Sequence, residues 1–339
     1  MGVVKADAYG HGAIEISRIL CKEGARWLAV SSVDEGVALR RAGIDCRILV
    51  MAGVMPWERD AIREFRLTPA VHSVGDLSFF NDSAEPIDVH LKIDTGMNRL
   101  GTHAAVSEIA AAMKAHPGVR IEGLMTHFAS AADFASGQTD EQIARFNDVA
   151  AELGKCGIRA PLIHCASTNA IAYGRAGLTQ TLVRPGHAIY GYVSPARGDA
   201  PASSVNVAPA LSWKARIVAI KHLAPGSRIG YGGSFVAAAP MRIAILAAGY
   251  ADGISHRLSN KGKVIAGGRL APIVGTVSMD LTTIDVTQSP HLRPGDEATL
   301  LGREGDVSLD AQQIARTAGT ISYNVLCGIS ARVRRFYVE

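Results

Sequence analysis

A chain of 339 residues that is 48% hydrophobic and 19% charged can bury substantial cores, suggests about two domains and is not disordered in composition. Its formal charge of +4 is scattered and the densest basic run (Arg332, Arg334, Arg335) is short, which argues against a nucleic-acid partner and suits one that handles small anions. Apolar runs stop short of membrane-spanning length, the first residues carry no signal-peptide core, and five cysteines without CxxC or finger spacing read as reduced thiols, so a soluble cytoplasmic protein with no membrane partner and no bound metal is expected.

In chain order, apolar runs of strand length alternate with helix-period segments from Val3 to Tyr192. Strands are read at VVKADA, WLAV, RILVMAG, TPAV, VHLKID, EGLMTH, LIHCAS and LVRPGHAIYG. Between them AIEISRILCKEG, VDEGVALRRAG and DEQIARFNDVAAELGKCG show the i, i+3/i+4 apolar spacing of amphipathic helices, with Gly at the C-terminal end. Eight strands alternating with helices predict an α/β barrel of the TIM type over residues 1–195. The same reading finds seven intervening helices, so one flank of the barrel is expected to lack a cover.

The Pro-, Ala- and Ser-rich stretch around residues 196–207 reads as a linker. Beyond it, residues 208–339 are Val/Ile/Thr-rich and punctuated by Gly, Pro and Asp, as expected of a mainly β domain with one helix, SLDAQQIARTAG, capped by Ser308.

Barrel active sites lie at the C-terminal ends of the strands. There this chain carries Lys5, Lys92 with Asp94, His127, His164 with Ser167, and Arg184. Any one alone could be structural, since a strand-end lysine snorkels and a lone barrel histidine is often a satisfied core residue. Together they form a set of amines and anion-binding groups that suits a phosphorylated carbonyl cofactor. Lys5 is the sharpest case. An amine in a largely apolar strand has its pKa lowered by desolvation, which makes it nucleophilic enough for a Schiff base. The Gly-rich loop and helix start that follow it, with Tyr9, could reach a phosphate.

The segments VVKADAYGHG, HLKIDTGMNRLG, THFA, HCASTNA, VRPGHAIYG, RIGYGGSF, GYADG, GTVSMD and ISYNVLCGISARVRRFY, in this order, resemble the alanine racemase family. The likeness spans essentially the whole chain, and the first two segments are its most specific part. It implies a pyridoxal 5'-phosphate enzyme that interconverts L- and D-alanine, supplies D-alanine for peptidoglycan, and works as a homodimer with active sites shared across the interface. On this likeness Lys5 bonds the cofactor and acts as one acid/base, while Tyr231 is the base on the opposite face, contributed by the partner subunit. Arg99 matches the arginine that meets the substrate carboxylate, and Lys92 a lysine that is often carbamylated. Tyr9, Ser167, Gly186, His187 and Tyr323 fall at the phosphate positions, with His187 standing where an aliphatic residue is common. His127 is implied to pack against the cofactor ring. Met279 falls at the substrate pocket from the partner subunit, Asp280 beside it supports, and Tyr250 stands at the mouth of the site. Arg184 is implied to face the pyridine nitrogen and keep it unprotonated, which weakens the electron sink and suppresses decarboxylation and transamination.

The family pattern implies about thirty residues ahead of the lysine motif, whose loss would expose apolar surface. Here Lys5 has four residues ahead of it, which accounts for the eighth helix expected to be missing. The alternatives are a broader amino-acid racemase, a non-catalytic pyridoxal-phosphate-binding protein and an inactive shortened form. Arg184 argues against a decarboxylase, and the β domain with Tyr231 and Met279 against a carrier.

Overall fold

Trp27–Val30 and, after its exposed first residue, Arg47–Val50 place apolar side chains at successive buried positions, the pattern of parallel strands covered on both faces. The structure, a computed structural model, describes residues 1–81, 85–175 and 180–338. The chain divides into two units, residues 1–8 with 12–208, and residues 9–11 with 209–339.

In the first unit, seven parallel strands neighbour one another in sequence order: β1 (Gly2–Val3), β2 (Trp27–Val30), β3 (Arg47–Val50), β4 (Thr68–Val71), β5 (Ile87–Lys92), β6 (Val119–Met125) and β7 (Leu162–His164). The helices between them are α1 (Lys5–Gly10), α2 (Ala13–Lys22), α3 (Val33–Arg41), α4 (Arg59–Glu64), α5 (Val106–Ala115), α6 (Gln138–Lys155) and, after β7, α7 (Thr168–Ala172). Ser32 and Glu35 form a reciprocal capping box at the start of α3. This is the expected α/β barrel type, with one correction that applies at both ends of the sheet: the first strand stops at Val3, VVKADA turning into α1 from Lys5, and no strand forms over 182–191. Pro185 has no N–H to offer a ladder, and His187–Tyr190 turns into a 3-10 helix. The segment still joins the two edges of the curled sheet. Arg184 N–H donates to Ala166 O (2.9 Å) after β7, and Val3 N–H of β1 donates to Pro185 O (3.0 Å).

A second correction concerns the cysteines. Cys21, near the end of α2, and Cys46, just before β3, are joined as a disulfide, whereas Cys156, Cys165 and Cys327 keep their thiols. Spacing along the chain could not reveal this pair, because α2 and the start of β3 become neighbours only when β1, β2 and β3 align.

The second unit is mainly β, as expected. Its strands are β8 (Trp213–Leu223), β9 (Arg228–Ile229), β10 (Phe235–Val236), β11 (Met241–Leu246), β12 (Lys263–Ile265), β13 (Leu270–Pro272), β14 (Thr282–Asp285), β15 (Glu297–Glu304) and β16 (Val307–Leu309). The main antiparallel sheet runs β13-β12-β15-β8-β11-β14, with β16 on β15 and a separate β9–β10 ribbon. The helix α8 (Ala311–Ala318) is capped by Asp310 in a box with Gln313, not by Ser308, which lies in β16. A further helix, α9 (Ser322–Cys327), joins the single one expected. Among the described residues no helix is long and apolar enough to cross a membrane, and no cluster of His, Cys, Asp and Glu could hold a metal ion.

Candidate active site

Lys5 stands just after β1, where the chain does something costly. Ala6, Asp7, Ala8 and Tyr9 all have φ between 52° and 55°, so α1 is a left-handed turn built without glycine until Gly10. Such backbone costs about 1–2 kcal/mol per residue and persists only where its surroundings over-determine it. They do. The Glu35 carboxylate accepts from Ala6 N (2.7 Å) and Ser31 N (2.6 Å), and Asp7 Oδ1 accepts from Ala13 N (2.7 Å) at the start of α2. Lys5 is thus the last residue before a strained turn held from two directions. Glu35 is a contributor that sequence reasoning missed, although its capping-box spacing after Ser32 marks it as a helix-start residue.

Arg184 is 3% exposed, and its guanidinium is held from several sides. Nη1 donates to His164 O (2.6 Å) and meets His164 Nδ1 (2.8 Å). Nη2 donates to Thr126 O (2.7 Å) and Cys165 O (3.1 Å), and His127 Nδ1 lies 3.4 Å away. These bonds leave Nε–H as the one donor of this side chain without a partner among the described residues. Burial lowers the Arg184 pKa to about 10, so it stays cationic at neutral pH. Burial, and then Arg184, Lys92, Arg99 and Lys5, push His127 down to about 3. His164 is held well below the usual imidazole range by burial, Arg184 and His90. Both rings are therefore neutral beside the guanidinium.

Lys92, at the end of β5, is also buried. Its pKa falls to about 8 through burial, then Arg99 and Arg184, with Asp94 opposing and Lys5 adding to the fall. Lys5, Lys92, Arg99, His127, His164 and Arg184 are thereby brought to one end of the first unit. Arg99 is exposed and reached through a loop that Asp94 organises, its Oδ1 accepting from the N–H groups of Gly96, Met97 and Asn98. Gly101 is needed behind this loop, because a Cβ there would lie 2.7 Å from Asp94 N. Burial works against the Asp94 carboxylate, but the N–H bonds of Gly96, Asn98 and Met97, with His103, outweigh it and hold its pKa below the ordinary value. A depressed carboxylate contributes stability above its unfolded pKa and loses it as pH falls through the lower folded value. An Asp94→Ala variant should therefore lose about 2–3 kcal/mol at pH 7 in urea unfolding, because it strands three N–H groups. The gap to wild type should begin to narrow as pH falls below about 4, where the unfolded-state carboxylate takes up its proton first; a gap that is constant down to pH 3 would contradict this account.

Ser167 is the N-cap residue of α7 and bridges to Arg184 across the backbone. The Gly186 N–H is taken by Thr168 Oγ1 (3.1 Å), which also accepts from Ala188 N (3.1 Å), so Thr168 shapes the turn that carries Gly186 and the buried His187. Thr168 is a second residue that sequence reasoning passed over.

In the second unit, Tyr9 packs against Tyr323 with ring centroids 5.8 Å apart. Burial, then Tyr323 and Cys327, push the Tyr9 phenol pKa up, which keeps it a protonated donor. Three motif loops meet elsewhere in this unit. Thr276 Oγ1 donates to Tyr231 O (3.2 Å), Tyr250 N donates to Ser278 O (3.0 Å), and Ala251 N donates to Met279 O (3.0 Å). Gly249 permits that last approach, since a Cβ there would come within 2.3 Å of Met279 O. Arg332 ties the loops together through Asp252 (3.3 Å) and Asp280 (2.8 Å). The Tyr231 side chain is left 78% exposed and Met279 53% exposed.

Comparison with known proteins bears on this arrangement. Residues 1–195 match the family model described as "Alanine racemase, N-terminal domain" and residues 210–337 the one described as "Alanine racemase, C-terminal domain". The chain is 41% identical over 344 residues to the alanine racemase of Halothermothrix orenii, covering 99% of this chain and 89% of that one. Its fold matches the crystal structure of alanine racemase from E. faecalis with a TM-score of 0.91 at 31% identity, covering 100% of this chain and 91% of that one. An alanine racemase from Bartonella henselae, solved with covalently bound pyridoxal phosphate, matches with a TM-score of 0.87 at 26% identity, over 99% of this chain and 92% of that one.

Proposed function

Because the chain belongs to the alanine racemase family, we propose that it interconverts L- and D-alanine with pyridoxal 5'-phosphate, using Lys5 and Tyr231 as two bases. The observation that carries this reading is Arg184, a buried cation fixed by its Nη atoms with Nε–H left over. One spare donor on a permanent cation suits an unprotonated ring nitrogen, and it fits this cofactor better than one whose ring must stay protonated. The cationic cluster of Lys5, Lys92 and Arg99 suits the anionic groups of the same molecule.

When bound, pyridoxal phosphate supplies an electron sink that acidifies the α C–H of an amino acid. Lys5 would hold it covalently and carry the proton at the α-carbon on one face. The Tyr231 phenol would hold the proton on the other face. Tyr9, Ser167, His187 and Tyr323 would hold the phosphate, with Gly186 letting it approach the backbone and sharing its N–H between the phosphate and Thr168 Oγ1, and His127 would lie against the ring. Arg99 would bind the substrate carboxylate. In a homodimer, the exposed Tyr231 and Met279 of one protomer would complete its partner's site, with Asp280 and Tyr250 shaping the approach. The activity would serve D-alanine supply for peptidoglycan in the cytoplasm.

The test is a racemisation assay with cofactor added and size-exclusion in parallel. Tyr231→Phe should lower kcat by about 10²–10³-fold with little change in KM, the usual effect of removing one acid/base group. Unchanged turnover would sink the two-base assignment, and full activity in a confirmed monomer would sink the shared site.

Lys92 carries a second expectation. With its pKa near 8 it has a substantial neutral fraction at mildly alkaline pH, and a neutral amine can add CO2, forming an N–C bond and releasing a proton. The resulting anion would relieve the crowding by Arg99, Arg184 and Lys5. A carbamate signal in ¹³C NMR under ¹³CO2 should grow as pH rises through about 8 and vanish in Lys92→Ala. Its absence from the wild type would remove carbamylation from the proposal.

A further inference from the structure

Below the strand ends, the barrel interior is not filled with apolar layers alone. Alternation along β5 puts Asp88, His90 and Lys92 on one face, with Lys92 among the cations and His90 one step deeper. His90 is fully buried, and its place is built for a ring. Trp27 lies 5.0 Å away centroid to centroid, with Arg47 stacked 4.2 Å over that indole. Gly123 of β6 backs it so closely that a Cβ there would come within 2.4 Å of the His90 ring.

His90 continues the contacts that hold Arg184. Its Nδ1 lies 2.8 Å from His164 Nε2, and His164 Nδ1 lies 2.8 Å from Arg184 Nη1. On its far side, His90 Nε2 is 3.8 Å from Glu122 Oε2, and both Glu122 oxygens are held by Arg47. The line therefore starts at a group that only donates, the guanidinium, and its far end faces a carboxylate that only accepts, at 3.8 Å rather than at hydrogen-bond distance. A guanidinium N–H on His164 Nδ1 requires a lone pair there, so the neutral ring carries its proton on Nε2. That proton needs an acceptor, which makes His90 Nδ1 unprotonated and puts the His90 proton on Nε2, toward Glu122. Reversing either ring would set two donors, or two acceptors, 2.8 Å apart in a buried place.

We propose that His90 is a positioning residue for Arg184: by accepting from His164 Nε2–H it makes His164 present an unprotonated Nδ1 to the guanidinium, while its own Nε2–H points toward the Glu122 carboxylate 3.8 Å away without a hydrogen bond to it. The inference rests on the reading of Arg184 as the group that meets the cofactor ring. The neutral tautomers it requires agree with the lowered pKa values of both histidines.

Long-range ¹H–¹⁵N NMR of the full-length protein labelled with ¹⁵N-histidine reads the tautomers directly, with or without cofactor. The expected result is a neutral ring protonated on Nε2 at both His90 and His164. A proton on Nδ1 of His164, or a doubly protonated ring at either position, would overturn the proposal. Among variants, His90→Leu should lower kcat about tenfold, roughly 1.4 kcal/mol in the barrier, with KM nearly unchanged. His90→Asn, whose side-chain oxygen can accept in place of Nδ1, should recover most of that loss and keep the His164 tautomer. Equal turnover in His90→Leu and wild type would also overturn it. If His90→Leu does not fold, the wild-type spectrum and His90→Asn still decide. A wild type with these tautomers but no racemisation would sink the proposed function and leave the histidine line standing.

Discussion

Replacing Lys5 by alanine is expected to lower alanine racemisation by at least about 10⁴-fold, because in the proposed function one side chain both holds the cofactor and moves a proton. The loss should come without unfolding. Lys5 is only partly buried, and the turn after it is held by backbone bonds to Glu35 and Asp7 that do not involve its side chain. Such a substitution should change stability by about 1 kcal/mol or less. Circular dichroism gives both readouts, the fold from the far-ultraviolet signal and the alanine enantiomers from optical activity. A folded Lys5→Ala protein that still racemises within tenfold of wild type would remove Lys5 from the chemistry. Loss of activity together with the fold would show that its role is structural.

Arg184→Leu should do the opposite, failing in stability before activity can be read. The substitution leaves His164 Nδ1 and the carbonyls of His164, Thr126 and Cys165 without their guanidinium donors, all at a buried position. The His164 carbonyl keeps the Thr126 N–H (3.4 Å), but each of the other three acceptors costs about 1–3 kcal/mol when stranded, so the total should reach about 3–6 kcal/mol, in the range where single substitutions unfold domains. The damage should spread, because Arg184 N–H and the Pro185 carbonyl join the first and last strands of the sheet. Urea unfolding measures the loss. Arg184→Lys, which keeps a donor and a charge, should be the milder variant. If Arg184→Leu unfolds within about 1 kcal/mol of wild type, the hydrogen bonds around this residue are not holding the barrel together.

The legible part of the site consists of residues that break a local pattern. Lys92, His127, His164 and Arg184 are polar groups at the ends of apolar runs, and the alternation of runs with amphipathic helices already points to a barrel. The segment 182–191 has the apolar content of a strand, but Pro185 and the turn at His187 deny it a ladder, and only its bonds to β1 and β7 reveal its place. The disulfide escapes for a related reason. Cys21 and Cys46 lie 25 residues apart with no motif between them, and strand order alone makes them neighbours.

The candidacy of Lys5 as the reactive amine, the cationic character of one end of the barrel and the mainly β second unit follow from the sequence itself, because they depend on residue type and on spacing within single elements. The tertiary structure alone decided how those groups are held. Four non-glycine residues in left-handed backbone after Lys5, the Nη bonds of Arg184, and His90 meeting His164 across 74 residues depend on which strands lie side by side. Local sequence sets periodicity and cap chemistry over a few residues, whereas hydrogen-bond polarity inside a barrel is set by partners from different strands. That is why the composition of the site was readable in the chain and its internal wiring was not.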